Sequence, residues 1–161
     1  KQIVDFGSST GLSSLYMATP FKDVCVTAME RDPEVASLCR LNIKRTQVEN
    51  VKVVVGDLKN KTRELVSSGV CFDFIHFGRS CSTSDIRSLV EILSGTFSWS
   101  TVILISDIYR TEEKENLWQD LKNMPGVRVS LELFFYGILI FDENFQKESY
   151  NLFYLPSLFN K

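Results

Sequence analysis

The chain has 161 residues, of which 44% are hydrophobic and 24% are charged, and its formal net charge is −2. This size and composition are typical of one globular domain with a full hydrophobic core, so we expect residues 1–161 to form a single domain. The lysines and arginines are scattered. A general attraction to nucleic acid or to an anionic membrane surface is therefore not expected.

The four cysteines are Cys25, Cys39, Cys71 and Cys81, and none of their spacings is C-x-x-C, which disfavours a zinc knuckle or a thiol redox motif. Cys25 and Cys71 lie in apolar, strand-like runs, so we predict that they are buried as reduced thiols, as in a cytoplasmic protein. The sequence contains neither a signal peptide nor an apolar run of membrane-spanning length.

Runs of β-branched and aromatic residues predict strands, and apolar residues at helical spacing predict helices between them. In chain order, we predict strand 2–6, helix 12–19, strand 24–29, helix 32–46, strand 51–55, helix 61–68, strand 72–77, helix 83–94, strand 101–106, helix 111–123, and strands 127–133 and 137–141. The apolar tail 150–159 is either a further strand or a packing arm.

Three of the predicted helices carry a clear apolar face or cap. Asp32 is the predicted N-cap of helix 32–46, with Pro33 at its first helical position. The side chains that we predict to face the core are Val35, Leu38, Cys39, Asn42, Ile43, Ile86, Leu89, Val90, Leu93, Leu117, Trp118 and Leu121.

The alternation of strands and helices over the first five strands predicts an α/β fold with a parallel sheet and helices on both faces. The last two strands are separated only by the residues "FFY", which leave no room for a crossover helix. These two strands are therefore predicted to form an antiparallel hairpin.

The stretch "IVDFGSSTG", residues 3–11, places small residues directly after the first strand, where open α/β sheets bind ligands. A dinucleotide fingerprint, G-x-G-x-x-G starting at Gly7, would need glycines where this chain has Ser9 and Leu12. A dinucleotide pyrophosphate is therefore disfavoured. A tight turn without any ligand remains the simpler alternative.

The segment "VDFGSSTG" resembles the first motif of the class I methyltransferases that use S-adenosylmethionine, in which an acid is followed by three alternating glycines. Asp5, Gly7 and Gly11 match this motif, and Ser9 replaces its middle glycine. The resemblance implies that Asp5 and the loop residues Gly7, Ser8, Ser9 and Gly11 bind the methionine part of the cofactor.

Two later positions agree with an adenosyl site. Glu30 follows Gly11 by 19 residues, near the separation at which nucleotide sites place the acid that accepts from ribose hydroxyls, and Arg31 follows it. The resemblance implies that Asp57 accepts from the adenine amino group and that the backbone amide of Leu58 faces the ring. A solvated acid at position 30 and a helix N-cap at position 57 are the alternatives.

The resemblance extends over almost the whole chain, because "VRVSLELFFYGILIF" supplies the antiparallel seventh strand that marks the class I methyltransferase fold. It implies a Rossmann-like sandwich with a mostly parallel seven-stranded sheet, and this end is similar to small bacterial methyltransferase-like proteins. Members of the family carry helices before the first strand, so we expect that such helices are lacking here.

His76 and Asp107 are the candidate catalytic residues, because they lie near the ends of the fourth and fifth strands, where the acceptor should approach. The alternative for His76 is a strand residue that points away from the pocket or packs against a helix. Arg79, Ser80 and Tyr109 could line the same pocket. Metal-dependent relatives need an acid after strand four and an Asp-Asn pair after strand five. This chain has "FGR" and "DI" there, so we expect no metal.

The expected function is methyl transfer from S-adenosylmethionine to a small-molecule acceptor, by default on oxygen. A catalytically silent protein with a binding or assembly role is the first alternative, and an NAD-type oxidoreductase is the second. The aromatic tail is compatible with a homodimer. The acceptor itself is not specified by any motif.

Overall fold

A computed structural model describes residues 1–152, so residues 153–159 of the apolar tail lie outside the described residues. The described part contains β1 (Gln2–Phe6), α1 (Leu12–Ala18), β2 (Cys25–Glu30), α2 (Pro33–Thr46), β3 (Val51–Val55), α3 (Leu58–Ser67), β4 (Phe74–Phe77), α4 (Thr83–Leu93), β5 (Val102–Ser106), α5 (Glu112–Lys122), β6 (Val129–Leu133), β7 (Tyr136–Ile140) and β8 (Glu148–Leu152).

One sheet contains all eight of these strands, in the order β3-β2-β1-β4-β5-β7-β6-β8. Strands β1 to β5 are parallel, and β7 runs antiparallel between β5 and β6. The predicted α/β class and the antiparallel hairpin are thus confirmed, and β8 adds one strand to the predicted seven. The strand order reverses between β1 and β4, the place where open α/β sheets bind ligands.

The helices cover both faces of the sheet. Helices α3, α4 and α5 pack against the face that carries Val4, Phe6, Ile75, Phe77 and Ile103. Helices α1 and α2 pack against the opposite face, over β1 to β3. Within residues 1–152, none of the helices combines the length and the apolar character needed to cross a bilayer.

Most of the predicted core positions are buried, including Ile86, Leu89 and Trp118. Leu38 is an error of the prediction, since 53% of its surface is exposed. The buried stripe of α2 is narrower than predicted and runs through Ala36, Cys39 and Ile43. Leu38 lies beside this stripe, about 100° around the helix from Cys39.

The predicted burial of two cysteines is also wrong, because Cys25 and Cys71 are exposed. Their predicted reduced state agrees with the structure, in which all four thiols are free. Cys25 is the exposed first residue of β2. Cys71 precedes β4, which begins at Phe74 rather than at residue 72. In contrast, the predicted N-cap of α2 is confirmed, since Asp32 Oδ1 accepts from the backbone N–H of Glu34 at 2.8 Å.

Candidate functional site

The loop between β1 and α1 has an unusual backbone. Gly7, Ser9 and Gly11 all adopt left-handed conformations, with φ of +67°, +52° and +86°. The backbone N–H groups of Gly7 and Ser8 both donate to the carbonyl of Met29, at 3.0 and 3.1 Å, which holds the loop at the end of β2. Ser9 therefore adopts the conformation that a middle glycine would provide most easily.

Close packing explains why two of these positions are glycine. A Cβ atom on Gly11 would lie 2.7 Å from Sγ of Cys39 in α2. A Cβ atom on Gly7 would collide with the hydroxyl of Ser80 and lie 3.1 Å from Sγ of Cys81. The bare backbone lets the loop approach both α2 and the segment after β4.

Glu30 ends β2 and is buried beside this loop. One carboxylate oxygen accepts from the backbone N–H of Ser9 at 2.9 Å. The other oxygen accepts from the backbone N–H groups of Arg31 at 2.7 Å and Asp32 at 3.2 Å. The two oxygens of a carboxylate offer about four acceptor sites, so these three bonds leave room for one more donor. The predicted ribose-binding acid therefore contacts the predicted cofactor loop directly.

Asp57 lies at the same edge of the sheet. Val55 pairs with Glu30 in the parallel ladder, and the N–H of Gly56 donates to the Glu30 carbonyl at 3.1 Å. The exposed Asp57 caps α3 by accepting from the N–H of Asn60 at 2.8 Å. The side chain of Leu58, the first residue of α3, is buried in the core.

Arg31 points toward α4. Its Nη2 atom donates to Oδ2 of Asp85 at 2.8 Å, and the Ser82 hydroxyl donates to the same oxygen at 2.7 Å. The hydrogen bond and the charge of Asp85 raise the pKa of Arg31. Burial opposes ionisation of Asp85, but the hydrogen bonds from Ser82 and Arg31 outweigh burial and lower its pKa. This ion pair connects the end of β2 to the start of α4.

A cavity of about 490 Å³, here called the loop cavity, opens beside residues 7–10 at the carboxyl ends of β1, β4 and β5. His76 and Ser106 line its wall, and Arg79 and Arg110 also line it. A larger cavity of about 650 Å³ lies between residues 94–99 and 124–128. It is lined by none of the predicted site residues.

His76 forms a hydrogen-bonded line with Asp5 and Ser106. Its Nδ1 atom lies 2.7 Å from Oδ1 of Asp5, and its Nε2 atom lies 3.0 Å from Oγ of Ser106. Asp5 is completely buried, and its Oδ2 atom accepts from the hydroxyls of Ser13 at 2.6 Å and Ser14 at 2.5 Å. Asp5, predicted as a cofactor contact, thus lies behind the loop and contacts His76 and α1.

Asp107 directly follows β5 and adopts a left-handed conformation with φ of +57°. Its Oδ2 atom pairs with Nε of Arg79 at 2.9 Å, but Asp107 is not among the residues that line the loop cavity. Tyr109 is directed elsewhere, because its hydroxyl donates to Glu132. Arg79 and Ser80 line the cavity.

Three site residues were not predicted from the sequence, namely Ser13, Ser14 and Ser106. Ser106 could have been found from strand alternation, because it lies on the same face of β5 as Leu104, which pairs with His76. Ser13 and Ser14 are the second and third residues of α1, and nothing in their local sequence specifies that they bind Asp5.

Solved structures share this fold. An O-methyltransferase from Bacillus cereus in complex with SAH is 17% identical, with a TM-score of 0.74 over 86% of this chain and 73% of that one. The SAH-bound methyltransferase PaMTH1 from Podospora anserina is 18% identical, with a TM-score of 0.72 over 88% and 71%. Cofactor-bound Rv0187 from MTB is 18% identical, with a TM-score of 0.75 over 89% and 73%.

Comparison of the sequence with known proteins identifies the family of this chain. A search of curated proteins finds no significant match. The profile of the protein-L-isoaspartate(D-aspartate) O-methyltransferase family, abbreviated PCMT, matches residues 1–86, which is more than half of the chain. The matched part contains the glycine-containing loop, Glu30, Asp57 and His76 and ends within α4. By this match, the chain belongs to the protein-L-isoaspartate(D-aspartate) O-methyltransferase (PCMT) family.

Proposed function

We propose that this chain is a methyltransferase that uses S-adenosylmethionine to methylate an oxygen atom of a small molecule, without a divalent metal. The observation that carries the proposal is the convergence of the bare-backbone loop, the Glu30 carboxylate and the loop cavity at one edge of the sheet. We also propose that the chain works as one domain, since one sheet contains all its described strands.

The residues present fit the cofactor. The backbone of Gly7, Ser8, Ser9 and Gly11 would approach its methionine part, since the loop cavity opens beside residues 7–10. Glu30 would accept from the ribose hydroxyls through its remaining acceptor capacity. Asp57, Leu58 and Arg31 would lie around the adenine, and Asp5 would support the loop from behind. The cofactor supplies an electrophilic methyl group.

The acceptor would occupy the loop cavity, where His76 and Ser106 offer polar atoms and Arg79 and Arg110 offer positive charge. Asp107 would act through Arg79, by holding that guanidinium at the rim. Much of the rate enhancement would come from positioning, which contributes about 7–11 kcal/mol in favourable intramolecular reactions.

A silent, cofactor-free binding role is the second candidate. The two acids that would bind the adenosyl group already have partners within the protein, which favours this role. Glu30 accepts from three backbone N–H groups, and Asp57 caps α3. These bonds would make both acids purely structural.

Two measurements separate these functions. Isothermal titration with S-adenosylmethionine, S-adenosylhomocysteine and NAD tests the cofactor site, and we expect binding of the first two only. Incubation with methyl-labelled S-adenosylmethionine and a metabolite extract then tests turnover, and we expect label in a small molecule. Binding of none of the three compounds would favour the silent, cofactor-free role, and binding of NAD alone would contradict the proposal.

A further inference from the structure

A buried hydrogen-bonded line crosses three neighbouring strands under the loop cavity. Asp5 of β1 pairs with His76 of β4 in the parallel ladder, and His76 pairs with Leu104 of β5. Ser106 follows Leu104 by two residues and therefore points to the same face of the sheet. The three residues are at most 8% exposed, and His76 and Ser106 line the cavity.

The carboxylate of Asp5 determines which atom donates in each hydrogen bond along this line. A carboxylate only accepts, and both oxygens of Asp5 face donors, namely the hydroxyls of Ser13 and Ser14 and the Nδ1 atom of His76. Nδ1 of His76 therefore carries the hydrogen. In the neutral ring, Nε2 is then an acceptor, and the Ser106 hydroxyl donates to it.

We propose that His76 is the base that removes the proton of the methyl acceptor, with Asp5 as its positioning residue and Ser106 as the relay to the cavity. The acceptor group is accordingly a hydroxyl, such as a phenol, rather than the carboxylate implied by the family's description. This inference rests on the proposed methyltransferase function.

Methyl transfer to a hydroxyl moves one methyl group and one proton. The acceptor oxygen forms its bond to the methyl carbon, and the sulfonium sulfur keeps the electron pair of the broken carbon–sulfur bond. The acceptor proton passes to Oγ of Ser106 while the Ser106 proton moves to Nε2 of His76. The resulting imidazolium faces the buried Asp5 carboxylate and later releases its proton to water.

The need for a base distinguishes the two acceptor classes. Carboxyl groups have an ordinary pKa of about 4 and are already ionised at neutral pH, whereas a phenol has one of about 10. A base oriented by a buried carboxylate has a task only for the second class, where general base catalysis contributes about 10²- to 10⁴-fold. The family match ends at residue 86, before Ser106.

The first experiment is independent of activity. His76 is the only histidine in the chain, so ¹⁵N NMR of the labelled protein reports this ring alone. We expect the Nδ1–H tautomer in the wild type and a shift toward the Nε2–H tautomer in Asp5→Asn. Glu132→Gln, which alters another buried carboxylate, should leave the signal unchanged. An Nε2–H tautomer in the wild type would overturn the proposal.

The second experiment tests access from the cavity. Diethyl pyrocarbonate acylates a neutral imidazole nitrogen that solvent can reach, and mass spectrometry locates the adduct. We expect one adduct on His76, formed faster in Ser106→Ala, because the competing hydroxyl is then removed from Nε2. A His76 that stays unmodified in both proteins would overturn the relay to the cavity.

The third experiment compares catechol and simple phenols with an isoaspartyl peptide, using labelled S-adenosylmethionine. We expect transfer to a phenolic probe, reduced at least about 100-fold in His76→Asn with unchanged cofactor affinity. Transfer to the isoaspartyl peptide that His76→Asn leaves intact would overturn the inference but not the proposed methyl transfer from S-adenosylmethionine. If the cofactor did not bind, the proposed function would fail, whereas the tautomer result would stand.

Discussion

Ser9 occupies the position where the class I motif has its middle glycine, and its φ of +52° is the conformation that glycine adopts most readily. For a residue with a Cβ atom, a left-handed backbone costs roughly 1–2 kcal/mol. The hydrogen bond from its N–H to Glu30 holds the residue there. The departure from the motif therefore preserves the backbone path of the loop.

Gly11 allows a direct test of this packing by comparison with Gly69. The φ of Gly11 is +86° and that of Gly69 is +84°, but no atom of residues 1–152 lies within 4 Å of the missing Cβ of Gly69. Gly69→Ala should lower the free energy of unfolding by about 1–2 kcal/mol, from backbone strain alone. Gly11→Ala should lower it by about 1–3 kcal/mol more, because the methyl group meets Cys39. Urea unfolding measures both, and equal losses would contradict the packing explanation.

Glu30 is the side chain whose loss should affect the cofactor most. Glu30→Gln keeps the size of the side chain but replaces the charged carboxylate, whose oxygens would accept from the ribose hydroxyls, by a neutral amide. We expect affinity for S-adenosylmethionine to fall about 10- to 100-fold, the value of one or two charge-assisted hydrogen bonds. Calorimetry measures the change, with the exposed Glu49→Gln as control, and equal affinity in the two variants would exclude Glu30 from the site.

Among the elements, the C-terminal strands are joined to α5 by one buried acid. Glu132 of β6 accepts from Trp118 Nε1 and Lys122 Nζ, each at 2.7 Å, and also from Tyr109 and from Asn151 in β8. Because these partners come from three separate segments, namely α5, the segment after β5 and β8, Glu132 holds the hairpin, the helix and the edge strand together.

The ionisation of Glu132 should make the stability of the folded chain depend on pH. Burial works against ionisation of Glu132, but the hydrogen bonds from Lys122, Tyr109 and Trp118 prevail and lower its pKa. A group with a lower pKa in the folded state contributes stability above its ordinary pKa and loses that contribution as the pH falls through the folded value. The wild type should therefore lose stability as the pH falls below about 4.5.

Glu132→Gln tests this assignment. The variant should be less stable than the wild type at neutral pH by about 1–3 kcal/mol, because charged hydrogen bonds are lost. The difference should shrink in acid, when the wild-type carboxylate becomes protonated. Urea unfolding at a series of pH values measures it, with the exposed Glu143→Gln as control. A difference that does not change with pH would show that the carboxylate charge is irrelevant.

For the whole molecule, the proposed cofactor should stabilise the folded state. At a concentration of 100 times its dissociation constant, a ligand that binds only the folded chain adds about 2.7 kcal/mol. For a domain of this size, that corresponds to a rise in melting temperature of roughly 5–10 °C. Thermal unfolding with S-adenosylmethionine should show this rise, and NAD at the same concentration should not.

The fold could be predicted to a large extent from local patterns. Helical spacing located α4 and α5, and the short "FFY" connection predicted the antiparallel pairing of β6 with β7. The errors concern burial at particular positions, as at Leu38 and Cys25. Whether a side chain at the border of an apolar face is covered depends on how neighbouring elements pack, and local spacing carries no information about that.

Some features of the candidate site could likewise be predicted from the sequence, and others could not. The sequence by itself determined the glycine-containing loop, its position after β1 and the acid at the end of β2, because these follow from residue type and chain order. Only the tertiary structure decided that Asp5 binds His76 rather than facing the loop cavity, and that Ser106 completes the line. Asp5 and His76 are 71 residues apart, and His76 and Ser106 are 30 apart. Their contact depends on the order and register of three strands, which the pairing of the whole sheet establishes.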